Sequence, residues 1–178
     1  MLVRLIREDP RFHRMEVWRD GALTSARRLE TRSVLLHDLC HYAVESELQL
    51  VHGFFGRLAA GAELDQGEPE PMEVSADSAP SNGDPGRLAG VALDPLGAPI
   101  PESLRIERLA ALLQSGASRG APAEELIARL ASLEPAVIDS RCGARVLERL
   151  RRIRGQWAAT PFGDAMNLPW PAPPYEER

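Results

Sequence analysis

The residues best placed to do chemistry lie in the run His37-Asp38-Leu39-Cys40-His41-Tyr42-Ala43-Val44-Glu45. It sets two imidazoles and a carboxylate at successive intervals of four, which on a helix makes a single line of side chains. Three of the four histidines, His37, His41 and His52, fall on the helix expected here. Imidazoles at i and i+4 stand about 6 Å apart, close enough for both to reach one metal ion. The chemistry to expect is hydrolysis by a metal-activated water, with His37 and His41 as ligands of a divalent ion such as zinc. Asp38 and Glu45 are the candidate catalytic carboxylates.

The spacing His37-Asp38-x-x-His41 is close to the HExxH of zinc peptidases, whose acid acts as general base toward metal-bound water. Asp38 is one methylene shorter than that glutamate and its carboxylate does not reach the same point. Glu45 lies about 12 Å beyond His37 by helical rise, so it is no ready third ligand. By residue type alone, His13, Cys142 and Asp164 could complete the set. Glu45 can instead polarise His41 and fix its tautomer. Against the metal reading stands a structural one, in which the row lies on the rim of a half-buried helix and a His-Glu pair gives about 0.2–0.5 kcal/mol of helix support. Cys40 points about 100° away from His41, so that ring does not activate it.

The elements that must position this row follow from periodicity. Leu2 to Ile6, Phe12 to Trp18 and Ala22 to Leu29 read as three strands, with Asp20-Gly21 supplying type I′ turn residues. Ser33 can cap a helix running from 34 to 52, whose apolar arc is Leu36, Cys40, Ala43, Val44, Val51, Phe54 and Phe55, with Gly53 as its stop. A short turn of helix follows to Ala60. Further helices are expected from Pro101-Glu102, from Pro122 to Leu133, and from about Pro135 to Gly155. Ala165 to Trp170 adds a strand that Pro169 confines to an edge. The fold class is therefore α+β: an antiparallel meander packed by a long helix, then a helical part with a proline-rich tail. One domain is expected overall, with segments 1 to 60, 61 to 102 and 103 to 178.

Composition narrows the functions. The chain has 178 residues, a net charge of −5 and 21 basic residues, all arginine. Without lysine, Schiff-base chemistry and a phosphate-loop lysine are excluded. No stretch approaches the roughly 20 apolar residues of a membrane span, and the start is neither a signal nor a transit peptide, so a cytoplasmic protein is expected. Cys40 and Cys142 form no framework and read as reduced core residues. From 61 to 102 nine acids face Arg87 alone and seven prolines interrupt the chain, the composition of a flexible acidic insertion. An arginine stripe, Arg141, Arg145, Arg149 and Arg152 with Arg151 and Arg154, could neutralise phosphates. No aromatic interleaves with it, so a solvated face or a partner for the acidic insertion is the better expectation, and nucleic acid is not an expected partner.

The stretch Leu36 to Glu45, followed by Gly53-Phe54-Phe55-Gly56-Arg57-Leu58-Ala59-Ala60-Gly61, resembles a group of small uncharacterised bacterial proteins in which a β-rich start precedes a Pro-His-Asp-x-x-His helix. The resemblance covers about the first 60 residues, with Leu36 where that group has proline, and it implies a shared module without an activity. The alternative to a metal-dependent hydrolase is a non-catalytic interaction or oligomerisation module. There the histidine row is structural, and Trp157, Phe162 and Trp170 form an exposed surface for a protein partner or a second copy.

Overall fold

The computed structural model describes residues 1–64 and 101–170, so the greater part of the expected acidic insertion lies outside the described residues. Strands β1 (Leu2–Arg7), β2 (Phe12–Arg19) and β3 (Ala22–Glu30) are followed by helices α1 (Thr31–Leu48), α2 (Phe54–Ala59), α3 (Glu102–Arg119), α4 (Ala123–Leu133) and α5 (Ser140–Ala159), and then by β4 (Ala165–Pro169). The sheet order is β3-β2-β1-β4, antiparallel throughout. The α+β class, the meander and the edge strand are as the periodicity predicts. Asp20 and Gly21 take φ of 50° and 80°, as the expected tight turn requires.

Val3, Leu5, Met15, Val17, Met166 and Leu168 line the inner face of the sheet and join one core with leucines of all the longer helices. Helix α1 runs through the centre of that core. It packs against β2 and β3, α2, α3 and α5, so every residue from Asp38 to Ser46 is buried. This corrects the expected rim position for His41 and Glu45, which lie inside the core where polar residues must find partners; His37 stays on the rim, with its side chain 37% exposed.

The ends of α1 also differ from expectation. It starts at Thr31 after Glu30, and the Ser33 hydroxyl donates to the Glu30 carboxylate instead of capping. It ends at Leu48, with Gln49 left-handed at φ 53°. Gly53 is the N-cap of α2. His52 is thus off the helix and exposed, and its backbone N–H donates to Glu102 Oε1 at 2.9 Å; Val51, placed on the apolar arc, is 59% exposed. The chain cannot continue as α1 because the N–H groups of Phe54, Phe55 and Gly56 all turn back to Glu45. The last helix begins at Ser140 and not near Pro135, since Asp139 caps it by accepting from Cys142 N at 2.7 Å.

The arginine stripe and the tail aromatics are likewise redeployed. Arg145 and Arg149 both pair with Glu47 of α1, Arg149 at 2.9 Å and almost fully buried. Two of the stripe's cations therefore face inward and hold α5 to α1. Trp157 and Trp170 are each only 8% exposed, while Phe162 alone stays open at 54%. Trp170 stacks on Phe55 with centroids 5.9 Å apart. Both cysteines are free and buried, as expected.

Arg149→Ala should cost about 3 kcal/mol, the low end for breaking a buried pair because Arg145 still reaches Glu47. Arg145→Ala, at the half-open edge, should cost under about 1 kcal/mol. Urea unfolding curves of the two variants measure the difference; equal losses would contradict the asymmetry.

Candidate metal centre

Glu45 organises the local structure. Its carboxylate is completely buried and accepts from Phe54 N and Phe55 N, each at 2.9 Å, from Gly56 N at 3.3 Å, and from His41 Nδ1 at 3.0 Å. The first turn of α2 needs acceptors for its orphan N–H groups, and Glu45 supplies them from one turn before the end of α1. Gly53 makes the approach possible: a Cβ there would lie 2.2 Å from the Glu45 carboxyl carbon.

The same carboxylate fixes His41. With Nδ1 donating to Glu45, the lone pair falls on Nε2. That Nε2 is buried, lies 3.3 Å from Glu107 Oε2 and makes no hydrogen bond of acceptable geometry among the described residues. Glu107 comes from α3, which packs along α1. His37, one turn before His41, sets its ring against that of His41 at 4.5 Å between centroids, tilted by 51°, and presents its own Nε2 3.6 Å from Glu107 Oε2. Its Nδ1 is backed by Asp38 at 3.9 Å. Ligand atoms of His37, His41 and Glu107 lie within 4.8 Å of one another. Donors about 2.1 Å from a tetrahedral zinc stand about 3.4 Å apart, so the two distances to Glu107 need little adjustment. Each imidazole also has a carboxylate behind it, the usual outer support of a metal-bound histidine. Two imidazoles and one carboxylate suit zinc, iron or manganese.

The site opens to solvent at one edge. The side chains of His37 and Glu107 are 37% and 48% exposed, whereas that of His41 is 4% exposed. A fourth position at that edge could hold water.

Of the expected third ligands, none reaches the cluster. His13 contacts Thr31 Oγ1 at 3.2 Å and sits edge-on to Trp157, Cys142 begins α5, and Asp164 lies in the turn before β4, where its carbonyl accepts from Arg7 N. Glu107 takes that place. Its only mark in the sequence is an acid beside the apolar positions Ile106, Leu109 and Leu113, and nothing local says that α3 turns that edge toward α1. Glu45 has both oxygens committed and acts by positioning, not as a free base. Asp38 is 8% exposed, with Oδ1 toward His37 and Oδ2 without a hydrogen-bond partner among the described residues. Burial pushes the Cys40 thiol up to about 12, which removes it as a nucleophile.

Without metal the cluster titrates as a charge network. The Asp38 carboxylate and then Glu107 push His37 up to about 9 against the effect of its partial burial. For His41 burial opposes the charged form, but contacts with Glu107 and Glu45 outweigh it and raise the value. Glu107 is held well below the usual carboxylate range by His37 and His41. No family model, curated protein or solved structure matches this chain.

The sign of the pH dependence follows. His37, raised from 6.5, contributes stability that is complete below 6.5 and drains away as pH rises through about 9. Glu107, lowered from 4.5, contributes above 4.5 and loses its share as pH falls through its depressed value. Metal-free protein should therefore lose stability between pH 6.5 and 9, by no more than about 1 kcal/mol given the solvent screening, seen as a falling Tm; a Tm rising across that window would contradict the network. Glu45→Gln should cost about 1–3 kcal/mol through orphaned N–H groups of α2, and imidazole 15N shifts should show His41 no longer fixed with its proton on Nδ1. An unchanged His41 tautomer would contradict the positioning role.

Proposed function

We propose that the protein is a metal-dependent hydrolase in which His37 Nε2, His41 Nε2 and Glu107 bind one divalent ion, zinc in the first instance. The observation that carries this reading is the convergence of three ligand groups: His41 Nε2, buried and oriented by Glu45 behind it, lies 3.3 Å from Glu107 Oε2, and His37 Nε2 lies 3.6 Å from the same oxygen. Without an ion Glu107 meets both imidazoles as an ion pair; with one, the two Nε2 lone pairs and the carboxylate would turn to the metal as ligands at tetrahedral spacing.

Three protein ligands with a solvent-facing fourth position match the arrangement of catalytic rather than structural zinc. A bound ion there would supply a water of lowered pKa and polarise a substrate carbonyl or phosphoryl oxygen. The chain's own residues have defined parts. Glu45 and Asp38 hold the two imidazoles, and α3 brings Glu107 across. No helix among the described residues is long and apolar enough to cross a membrane. The interaction-module alternative loses most of its surface, since two of its three tail aromatics are buried.

Untagged protein incubated with zinc and desalted should hold close to one equivalent by elemental analysis, and His37→Ala, His41→Ala and Glu107→Ala should each lose it while keeping their circular dichroism. Wild-type protein free of zinc, iron and manganese after incubation with each would overturn the reading.

A further inference from the structure

Two buried polar side-chain atoms without hydrogen-bond partners among the described residues, Asp38 Oδ2 and Arg27 Nε, belong to residues that meet beside α1. Asp38 and Arg27 line a single cleft of about 360 Å³, walled by Met15 and Leu29 of the sheet, Val34 of α1, Phe54, Arg57 and Leu58 of α2, and Ala62, Glu63 and Leu64 after it. That size lies at the lower end of small-molecule sites.

Arg27 is out of place as a structural residue. It is paired across the ladder with Met15, which is fully buried. Residues directly opposite share a face of the sheet, so its side chain is directed inward, toward α1. Its side chain has neither an ion pair nor a hydrogen bond among the described residues, and the side chain of Arg57, an exposed residue of the same cleft, has none either. Asp38, 8% exposed, meets the same space from the helix. Neither guanidinium is ion-paired with Asp38 or Glu63 of the same cleft, so both are free to hold an anion, and Arg recognises a planar carboxylate in bidentate fashion. A carboxylate oxygen with no donor selects an N–H. The apolar walls select a hydrocarbon body between the two.

The cleft also borders the metal centre. On α1, Asp38 is about 60° round from His41 and one position from His37, and its other oxygen backs His37. Phe54 lines the cleft while its N–H binds Glu45, which holds His41.

We propose that this cleft binds a small N-acylated amino acid, with Arg27 and Arg57 holding the carboxylate, Asp38 accepting the amide N–H, and the apolar walls enclosing the side chain. Binding stands on the cleft alone; its role as the substrate site rests on the hydrolase reading.

Calorimetry on metal-free full-length protein tests it with N-acetyl-L-leucine as the probe. N-acetyl-L-leucinamide lacks the carboxylate, 4-methylpentanoate lacks the N–H, and inorganic phosphate is a bare anion. N-acetyl-L-leucine should bind, each of the other three should bind at least about tenfold more weakly, and Arg27→Gln and Asp38→Ala should each weaken N-acetyl-L-leucine about tenfold or more. Arg151→Gln, on the exposed face of α5 and away from the cleft, should leave this binding unaltered. Equal binding of acid and amide, equal binding of phosphate, or no heat from any probe would overturn the proposal; the last would leave Arg27 as an inward charge guarding an edge strand. Binding by protein that takes up no metal would uphold the cleft and sink the hydrolase reading, while metal uptake without probe binding would do the reverse.

Discussion

A carboxylate with no exposure to solvent is costly to bury unless its oxygens are satisfied. Glu45 meets that constraint with three backbone N–H groups and one imidazole. Because the N–H groups belong to the start of α2, the chain must reverse after Leu48. Because the imidazole is that of His41, its other nitrogen must face α3. Turn, short helix and ligand orientation are thus consequences of one buried group, and Gly53 is the small residue that lets the backbone come close enough.

The second constraint is the enclosure of α1. A helix packed by a sheet on one side and helices on the others has to place each polar residue against a specific partner. Glu47 meets Arg145 and Arg149, Glu45 meets α2, and Tyr42 donates to the Pro169 carbonyl of β4 at 3.0 Å. Each of these contacts ties a different element to α1. His41 Nε2 and Asp38 Oδ2 are the polar atoms of the helix left without a hydrogen-bond partner among the described residues. One faces Glu107 and the other lies in a residue that lines the cleft, so these two positions are where the proposed metal and the proposed cleft ligand would be held.

Much of this is legible in the sequence, but unevenly. The meander, the turn at Asp20-Gly21 and the edge strand with Pro169 follow from period-two patterning and local turn chemistry, which depend on neighbours in the chain. The His37-His41-Glu45 line follows from helical spacing, as does the pairing of His41 with Glu45. Glu107 does not, because only the packing of α3 on α1 brings it across. The end of α1 was equally hidden: Gly53 has the composition of a C-terminal stop, but its actual role is to make room for a carboxylate. Arg149 reads as a member of a solvated stripe until Glu47, on another helix, is seen to pair with it.

The most direct measurement is anomalous diffraction at the zinc edge from crystals grown with zinc. The account requires one peak about 2.1 Å from His37 Nε2, His41 Nε2 and a Glu107 oxygen, with Glu45 remaining on His41 Nδ1. A fully occupied zinc elsewhere, or none between α1 and α3 at saturating zinc, would contradict it.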